Sequence, residues 1–556
     1  MADDLGWGDV SWNAVDSIIT PNLAELVNNN AVLLNNAYVH YRCSPTRSAF
    51  LTGYDPYFIG TQDGVFQAME NAGVPLTDAE GNTLKMFPQE LQDNDYVTYL
   101  VGKWHLGYCK DEFLPNQRGF TNFNGFFAGG QGRVYFVHFY IHNVEWYSDG
   151  TADRYYDRES VVKPKNQAKI DGFDFWRQDA IDTSISPDES SKTNPTTGQP
   201  YYYSTHLYAD RIIEYLESHF ETGSTTADKP FFQYLAFQAV HAPIDVPDTV
   251  EEALDLGWPA DYMDGCDQTW ADRKKYCAKV KAMDVAIGRV VQWLKDNGQY
   301  DNTIIVFSTD NGGNVNDAGS NWPYRGSKGT MWEGGCKAVS FVHSTTHFAT
   351  ARSSDELFHV TDWYATILNM AGVTRDKHGS GYNQWDVLTD STGSTPTSRR
   401  EVIYNLGRSG SAIRQDNWKV VVGDIAAYDG WYHPAPDTAV FTDPEYHTTD
   451  PIFDAEGDRY SNRNAPTQDV DRLYDLSTDP YEEHDLASTY PRKLGGMKAR
   501  LQTLKNLKHI EDVHPADIDT DGDPSNFVGD LYGTFAPWQC TPADLVIDGT
   551  GTYTEP

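Results

Sequence analysis

Three short apolar runs, each closing on polar residues, limit the folds open to this chain. They are YVTYLVGKW (96–104), PFFQYLAFQAVH (230–241) and NTIIVFSTDNGG (302–313), and they read as buried strands. Stretches of helical period accompany them: TPNLAELVNNN (20–30), with Thr20 as a cap and Pro21 in the first turn; YCAKVKAMDVAIGRVVQWLKDNG (276–298), stopped at Gly298; and HVTDWYATILNMAG (359–372). This alternation predicts an α/β domain with a large, mostly parallel sheet flanked by helices, running from residue 1 to about 400. The chain opens on MADDLGWGDV without the apolar strand expected before such a turn, so the first strand of the sheet reads as missing.

Two regions depart from that texture. Between about 146 and 205 the composition turns to Asp, Ser, Thr, Tyr and Pro, which reads as a polar surface insertion bordering the site. From about residue 401 to 556 a smaller α+β domain with an antiparallel sheet is expected, followed by a tail. There SAIRQDNWKVVVGD (411–424) reads as a hairpin turning at Asp416-Asn417, RLYDLSTDPYEEHDLA as a strand and turn, and YPRKLGGMKARLQTLKNLK as a helix.

Charge excludes some functions. Eighty acidic against 43 basic residues leave a net charge of -37, which repels nucleic acid and anionic membranes at long range. No run reaches the roughly 18 apolar residues needed to span a bilayer, and no leader peptide is visible. Six cysteines, at 43, 109, 266, 277, 336 and 540, are too few for a disulfide scaffold of this size, although Cys266–Cys277 and Cys109–Cys540 are possible pairs. The only near match to an N-glycosylation acceptor, Asn194, is followed by proline. A soluble protein of a salty or extracellular medium fits these features.

In open α/β sheets ligands bind beyond the carboxyl ends of the strands. One strand end here carries Lys103 and His105 (GKWHLG), another His241 (VHAP), and a third Asp310 and Asn311 (STDNGG). If the missing strand ran into ADDLGWGD, Asp3 and Asp4 would join them. Each fragment alone is compatible with a structural role, an acidic turn or a packed histidine; their collection on one edge is what points to chemistry. Asp3, Asp4, Asp310 and Asn311 are hard oxygen ligands, suited to Ca²⁺ or Mg²⁺ rather than zinc. Arg47, Lys103, His105, His241 and Lys328 supply positive charge or protons, so in this acidic protein the pocket predicts an anionic group, phosphate or sulfate.

The stretch HYRCSPTRSAFLTG (40–53) holds Cys43 just ahead of a helix start. CSPTRSAFLTG resembles the signature of the type I sulfatases, Cys-x-Pro-x-Arg followed by Thr-Gly, and ADDLGWGD, GKWHLG, VHAP, STDNGG and NWPYRGSKGTMWEGG follow the family's order. The resemblance runs nearly the whole chain, to APWQC, and is strongest to the arylsulfatase B (N-acetylgalactosamine-4-sulfatase) branch. It implies an alkaline-phosphatase-like α/β domain, conversion of Cys43 to formylglycine by a formylglycine-generating enzyme, and Ca²⁺ held by Asp3, Asp4, Asp310, Asn311 and an oxygen on residue 43. It also implies roles. A hydroxyl of the hydrated aldehyde attacks sulfur with Asp310 accepting its proton; His241 or Lys328 protonates the leaving alcohol; Lys103, Lys328 and Arg47 hold the negative charge; His105 takes the proton of the second hydroxyl.

The expected function is therefore hydrolysis of sulfate esters on a carbohydrate or small aryl carrier, in a secreted protein or, as the alternative, in a lysosomal-like compartment. Two rivals remain on the same sequence: a phosphonate or phosphate ester hydrolase of this fold, and a non-catalytic extracellular structural protein. Cysteine positions and the lack of glycosylation acceptors depart from the lysosomal enzymes, and the poorly matched insertion leaves the substrate open.

Overall fold

The computed structural model describes residues 1–13, 18–66, 72–108, 110–127, 129, 176–177, 180–181, 204–242, 244, 246, 261–266, 271–408, 410–423, 430–432 and 471–513. Two sheets form the larger part. In one, Val97–Lys103 lies between two parallel neighbours, Asn122–Phe126 and Phe231–Ala236, and the short antiparallel strands Trp176–Arg177 and Ala180–Ile181 extend its edge. In the other, Ala31–Leu34 pairs in parallel with Arg352–Ser354 and antiparallel with Ser340–His343, which pairs in turn with Ile305–Ser308. The fold is alkaline-phosphatase-like, with mixed pairing in both sheets.

Residues 1–3 join the two sheets. The Met1 amino group donates to Leu235 O at 2.8 Å, Phe237 N to Met1 O at 3.0 Å, and Asp3 N to Ala239 O at 2.9 Å. On the other side Ala2 N donates to Ser308 O at 3.0 Å and Asp310 N to Ala2 O at 3.1 Å, a parallel bridge between Ala2 and Thr309. The carboxyl ends of Val97–Lys103, Phe231–Ala236 and Ile305–Ser308 consequently open on one edge, with Asp3 and Asp4 between them.

Helices cover the sheets where their apolar spacing dictates. Ala271–Asp296 buries Tyr276, Val280, Met283, Ala286, Val290 and Leu294, a stripe at three- and four-residue steps that packs into the core with Ser204–Phe220. Full burial of each of the larger aliphatic side chains contributes roughly 1.5–3 kcal/mol. This helix begins before the predicted start, and Gly298 follows it with φ 68°, where an L side chain would be strained. The Cys266–Cys277 disulfide pins its first turns to the preceding loop; Cys109 and Cys540 lie outside the described residues.

The helix Pro21–Asn28 forms as predicted, but Thr20 does not cap it. The Thr20 hydroxyl is taken by the Ser11 hydroxyl at 2.8 Å, and Asp284 of the long helix accepts from Leu23 N at 2.8 Å and Asn22 N at 3.1 Å instead. A carboxylate at a helix N-terminus also meets the positive end of the helix dipole.

The carboxyl-terminal sheet is antiparallel, in the order Glu401–Leu406, Gly410–Gln415, Trp418–Gly423, Arg472–Asp475. Gln415 faces Trp418, so the predicted hairpin turns on Asp416-Asn417, with Asp416 at φ 49°. The helix Pro491–Lys505 covers one face through Met497, Leu501 and Leu504. Most of the predicted 146–205 insertion, and the tail with APWQC, lie outside the described residues.

A buried ionic network fastens this sheet to the larger part. Lys419 Nζ lies 3.0 Å from Glu333 Oε1 and 2.7 Å from Glu482 Oε1. Tyr404 and Tyr38 donate hydroxyl hydrogen bonds to Glu333 at 2.5 and 2.7 Å, and Glu333 N donates to Glu482 Oε2 at 2.8 Å.

Candidate active site

The helix Cys43–Thr52 starts at the cysteine itself, and all ten of its residues are buried. Arg42 ahead of it is extended, and Gly53 ends it at φ 72° with its N–H on Ala49 O. Thr46 Oγ1 accepts from His40 N at 2.9 Å and donates to His40 O at 3.2 Å, so the entering loop is tied to the first helical turn. Cys43 Sγ then faces Asp3 Oδ1 at 3.7 Å.

Around it the predicted acids and cations interlock. Lys103 Nζ is 2.6 Å from Asp3 Oδ2, and Arg47 donates to Asp310 Oδ2 from Nη2 at 2.8 Å and from Nε at 3.1 Å. Lys328 Nζ is 2.6 Å from Asp4 Oδ1, to which Asn311 Nδ2 also donates at 2.7 Å. Asp4 N donates to Asp310 Oδ1 at 3.3 Å. Asp4 holds the left-handed conformation, φ 58°, which a non-glycine residue keeps only when its surroundings enforce it. Behind it Asp9 accepts from Gly6 N, Ser320 N, the Tyr276 hydroxyl and Arg273, and locks the ADDLGWGD turn.

The two histidines differ in which nitrogen is free. Nε2 of His105 donates to Phe66 O at 3.0 Å, because a carbonyl can only accept; its buried Nδ1 has no hydrogen-bond partner and carries the lone pair. Nδ1 of His241 donates to Ala242 O at 2.8 Å, which aims Nε2 toward Asp4 Oδ2 at 3.8 Å. Gly129 lies against the first ring: a Cβ there would fall 2.0 Å from His105 Nε2. His105 is also left-handed, at φ 58°. In the STDNGG loop, a Cβ on Gly312 would meet Gly334 O at 1.8 Å, so only glycine fits that approach.

Charge and burial set the protonation states. Burial raises the carboxyl pKa of Asp3 and Asp4, but Lys103 and His241 around the first, and Lys328 and His241 around the second, bring both below the ordinary range. Burial pushes the Cys43 thiol up to about 12 despite Lys103 and Lys328, so it is no thiolate at neutral pH. His105 is held well below 6.5, first by burial and then by Lys103, Arg47 and Lys328.

The donors fit a hard divalent cation. Asp4 Oδ2 and Asn311 Oδ1 are buried without hydrogen-bond partners, an arrangement that burial makes unfavourable unless a cation meets them. Atoms of Asp3, Asp4, Cys43 and His241 lie within 4.8 Å of one another.

All ten predicted residues are thus brought to this edge: Asp3, Asp4, Cys43, Arg47, Lys103, His105, His241, Asp310, Asn311 and Lys328. Reading the sequence missed the second layer. Ser44 fixes the His105 carbonyl at 2.9 Å, Lys279 the His241 carbonyl at 2.8 Å, and the Tyr276 hydroxyl the Asp4 carbonyl at 3.1 Å. Lys279 and Tyr276 stand on one helix far from the motifs, where only their polar heads in an otherwise buried stripe hint at the task.

An α/β sheet edge that gathers buried carboxylates and cations around one residue defines a hydrolase of anionic esters. The chain belongs to the sulfatase family: the family description Sulfatase matches residues 1–373. Arylsulfatase J of Mus musculus is 30% identical over 533 residues, covering 91% of this chain and 74% of that protein. N-acetylgalactosamine-6-sulfatase of Mus musculus is 26% identical over 379 residues, covering 67% of this chain and 62% of that protein. The solved structure of Ps i-CgsB in complex with k-i-k-neocarrahexaose has the same fold, with a TM-score of 0.66, 23% identity and 92% of each chain covered. The protein is a sulfuric ester hydrolase.

Proposed function

We propose that this enzyme removes sulfate from a sulfated carbohydrate or small aryl sulfate, using formylglycine made from Cys43 and a Ca²⁺ ion held by Asp3, Asp4, Asp310 and Asn311. The observation that carries the reading is Cys43 itself: a buried thiol, held protonated, placed against Asp3 among lysines and an arginine. As a thiol it is a poor nucleophile there; converted, the residue supplies hydroxyl oxygen for attack on sulfur and a second hydroxyl for release. The cation would polarise a sulfate oxygen as a Lewis acid, which the unpartnered oxygens of Asp4 and Asn311 support.

The chain's own residues then divide the proton work. Asp310 accepts the proton of the attacking hydroxyl while Arg47, on its Oδ2, keeps that carboxylate oriented. Lys103, Lys328 and Arg47 balance the sulfate charge, and the burial of Lys103 and Arg47 strengthens that attraction relative to water. His241 Nε2 or Lys328 Nζ protonates the leaving alcohol. His105, neutral and with Nδ1 bare, takes up the proton that frees sulfate. The acidic surface and the Cys266–Cys277 disulfide support an extracellular setting, and among the described residues no helix is long and apolar enough to cross a membrane.

The test is mass spectrometry of the peptide containing Cys43, from protein produced with a formylglycine-generating enzyme, alongside turnover of nitrophenyl sulfate and a nitrophenyl phosphate diester. Aldehyde at residue 43 with preferred sulfate turnover is expected. Full activity with an intact thiol, or a phosphodiester turned over faster by orders of magnitude, would refute the reading.

A further inference from the structure

A second cluster of titratable side chains lies outside this site. His40 sits in the loop entering the Cys43 helix, Asp55 caps the short helix Pro56–Ile59, and His359 ends the strand Phe358–His359; all three are buried. Their ligand atoms lie within 4.8 Å of one another. His40 Nδ1 contacts Tyr404 O at 3.2 Å, and since a carbonyl only accepts, the proton is on Nδ1 and Nε2 is a bare lone pair. That lone pair faces Asp55 Oδ2 at 3.8 Å. His359 Nδ1 is bonded to Thr361 Oγ1 at 2.9 Å, the hydroxyl that also accepts from Arg399 Nη2 at 3.0 Å. Nε2 of His359 and Nε2 of His40 are both buried without a hydrogen-bond partner.

Two imidazole nitrogens without a hydrogen-bond partner and a carboxylate oxygen thus face one another in a dry interior. A proton on Asp55 would bridge to one nitrogen and leave the other bare, and 3.8 Å is too long for that hydrogen bond. One divalent cation satisfies all of them. We propose that His40, Asp55 and His359 form a structural transition-metal site, filled by Zn²⁺. Two imidazole nitrogens and one carboxylate oxygen are a zinc donor set. Each imidazole is already oriented by a partner on its other nitrogen, as ligating histidines are. In a tetrahedral site with bonds near 2.1 Å, ligand atoms stand about 3.4 Å apart, so the His40–Asp55 pair closes by about 0.4 Å and no pair by more than about 1.4 Å. The nearby Arg399 charge is engaged by Asp362, at 2.8 Å from Nε and 2.5 Å from Nη2. The ion would staple the loop entering the Cys43 helix to the Asp55 cap of Pro56–Ile59 and to the strand Phe358–His359. It is distinct in ligands from the oxygen-rich Ca²⁺ set, and burial means that it enters as the chain folds.

The test uses the full chain, unfolded in guanidinium with a chelator and refolded with calcium chloride, with or without zinc chloride, then gel-filtered. About one equivalent of zinc per chain is expected to co-elute, with a raised guanidinium midpoint. His359→Gln and the milder Asp55→Asn should each lower bound zinc at least tenfold. Cobalt in place of zinc should give visible bands of a low-coordinate site in the wild type and not in His359→Gln. Should refolding fail, zinc content of protein expressed in zinc-supplied medium is compared between wild type and the same variants. Wild type holding no more zinc than the variants overturns the proposal; zinc retained by both variants does so as well, because it then sits elsewhere.

Discussion

Lys419 offers the sharpest test of the energetics. It is wholly buried and is the ammonium shared by Glu333 and Glu482, at 3.0 and 2.7 Å. Lys419→Met keeps the length of the stem and removes the charge, leaving two carboxyl groups in a dry space. Removing one partner of a buried pair costs about 3–5 kcal/mol, because the other is left uncompensated. The loss depends on pH with a sign fixed by Glu482. Burial already pushes its carboxyl up to about 7, with Lys419 opposing; without Lys419 it rises further. A carboxyl raised above its unfolded value binds more protons in the folded state, so its contribution to stability is present at low pH and lost as pH climbs. In Lys419→Met, Glu482 stays protonated through pH 8, whereas in the wild type it is half ionised near pH 7 and largely ionised by pH 8. The gap between the two proteins should therefore widen by up to about 1 kcal/mol from pH 7 to pH 8. Guanidinium titrations followed by tryptophan fluorescence at pH 6, 7 and 8 measure this. Adding Glu482→Gln should recover part of the loss and remove the pH dependence. A loss below about 1 kcal/mol at pH 8, or the same loss at every pH, would show that the network does not hold Lys419 as a desolvated cation.

Two more outcomes follow from the geometry. Cys43→Ala should abolish turnover while lowering the unfolding free energy in guanidinium titrations by less than about 1 kcal/mol, since only a small buried group is lost; a large destabilisation would make residue 43 structural instead. Replacing Cys266 and Cys277 together by serine opens a loop whose ends are 11 residues apart. Chain entropy puts the loss at about 3 kcal/mol, and a midpoint that reducing agent lowers in the wild type but not in the double variant would check it.

Much of the site was legible because its residues sit where strands end. Lys103, His241 and Asp310 each follow an apolar run whose burial is written in composition, and the sheet then brings those ends together. The hairpin at Asp416-Asn417 was legible for a similarly local reason. Pairing direction was not: nothing in AVLL (31–34) says that it takes one parallel and one antiparallel neighbour. The cap was misplaced because Asp284 reaches Leu23 across 261 positions, and no local pattern carries that contact. His40, Asp55 and His359 were equally silent, separated in sequence and joined only by the fold.

The join made by residues 1–3 sets how the site can change. Asp3 is hydrogen-bonded to the Ala239 peptide on one side, and Ala2 to Asp310 and Ser308 on the other. Asp3 and Asp4, the His241 turn and the Asp310 loop therefore share one origin of coordinates. Sliding either sheet by a fraction of an ångström displaces acids and base together, so their spacing cannot drift residue by residue. Loops farther from that origin are free to vary, which lets one sulfate-cleaving centre serve differently shaped substrates without being retuned.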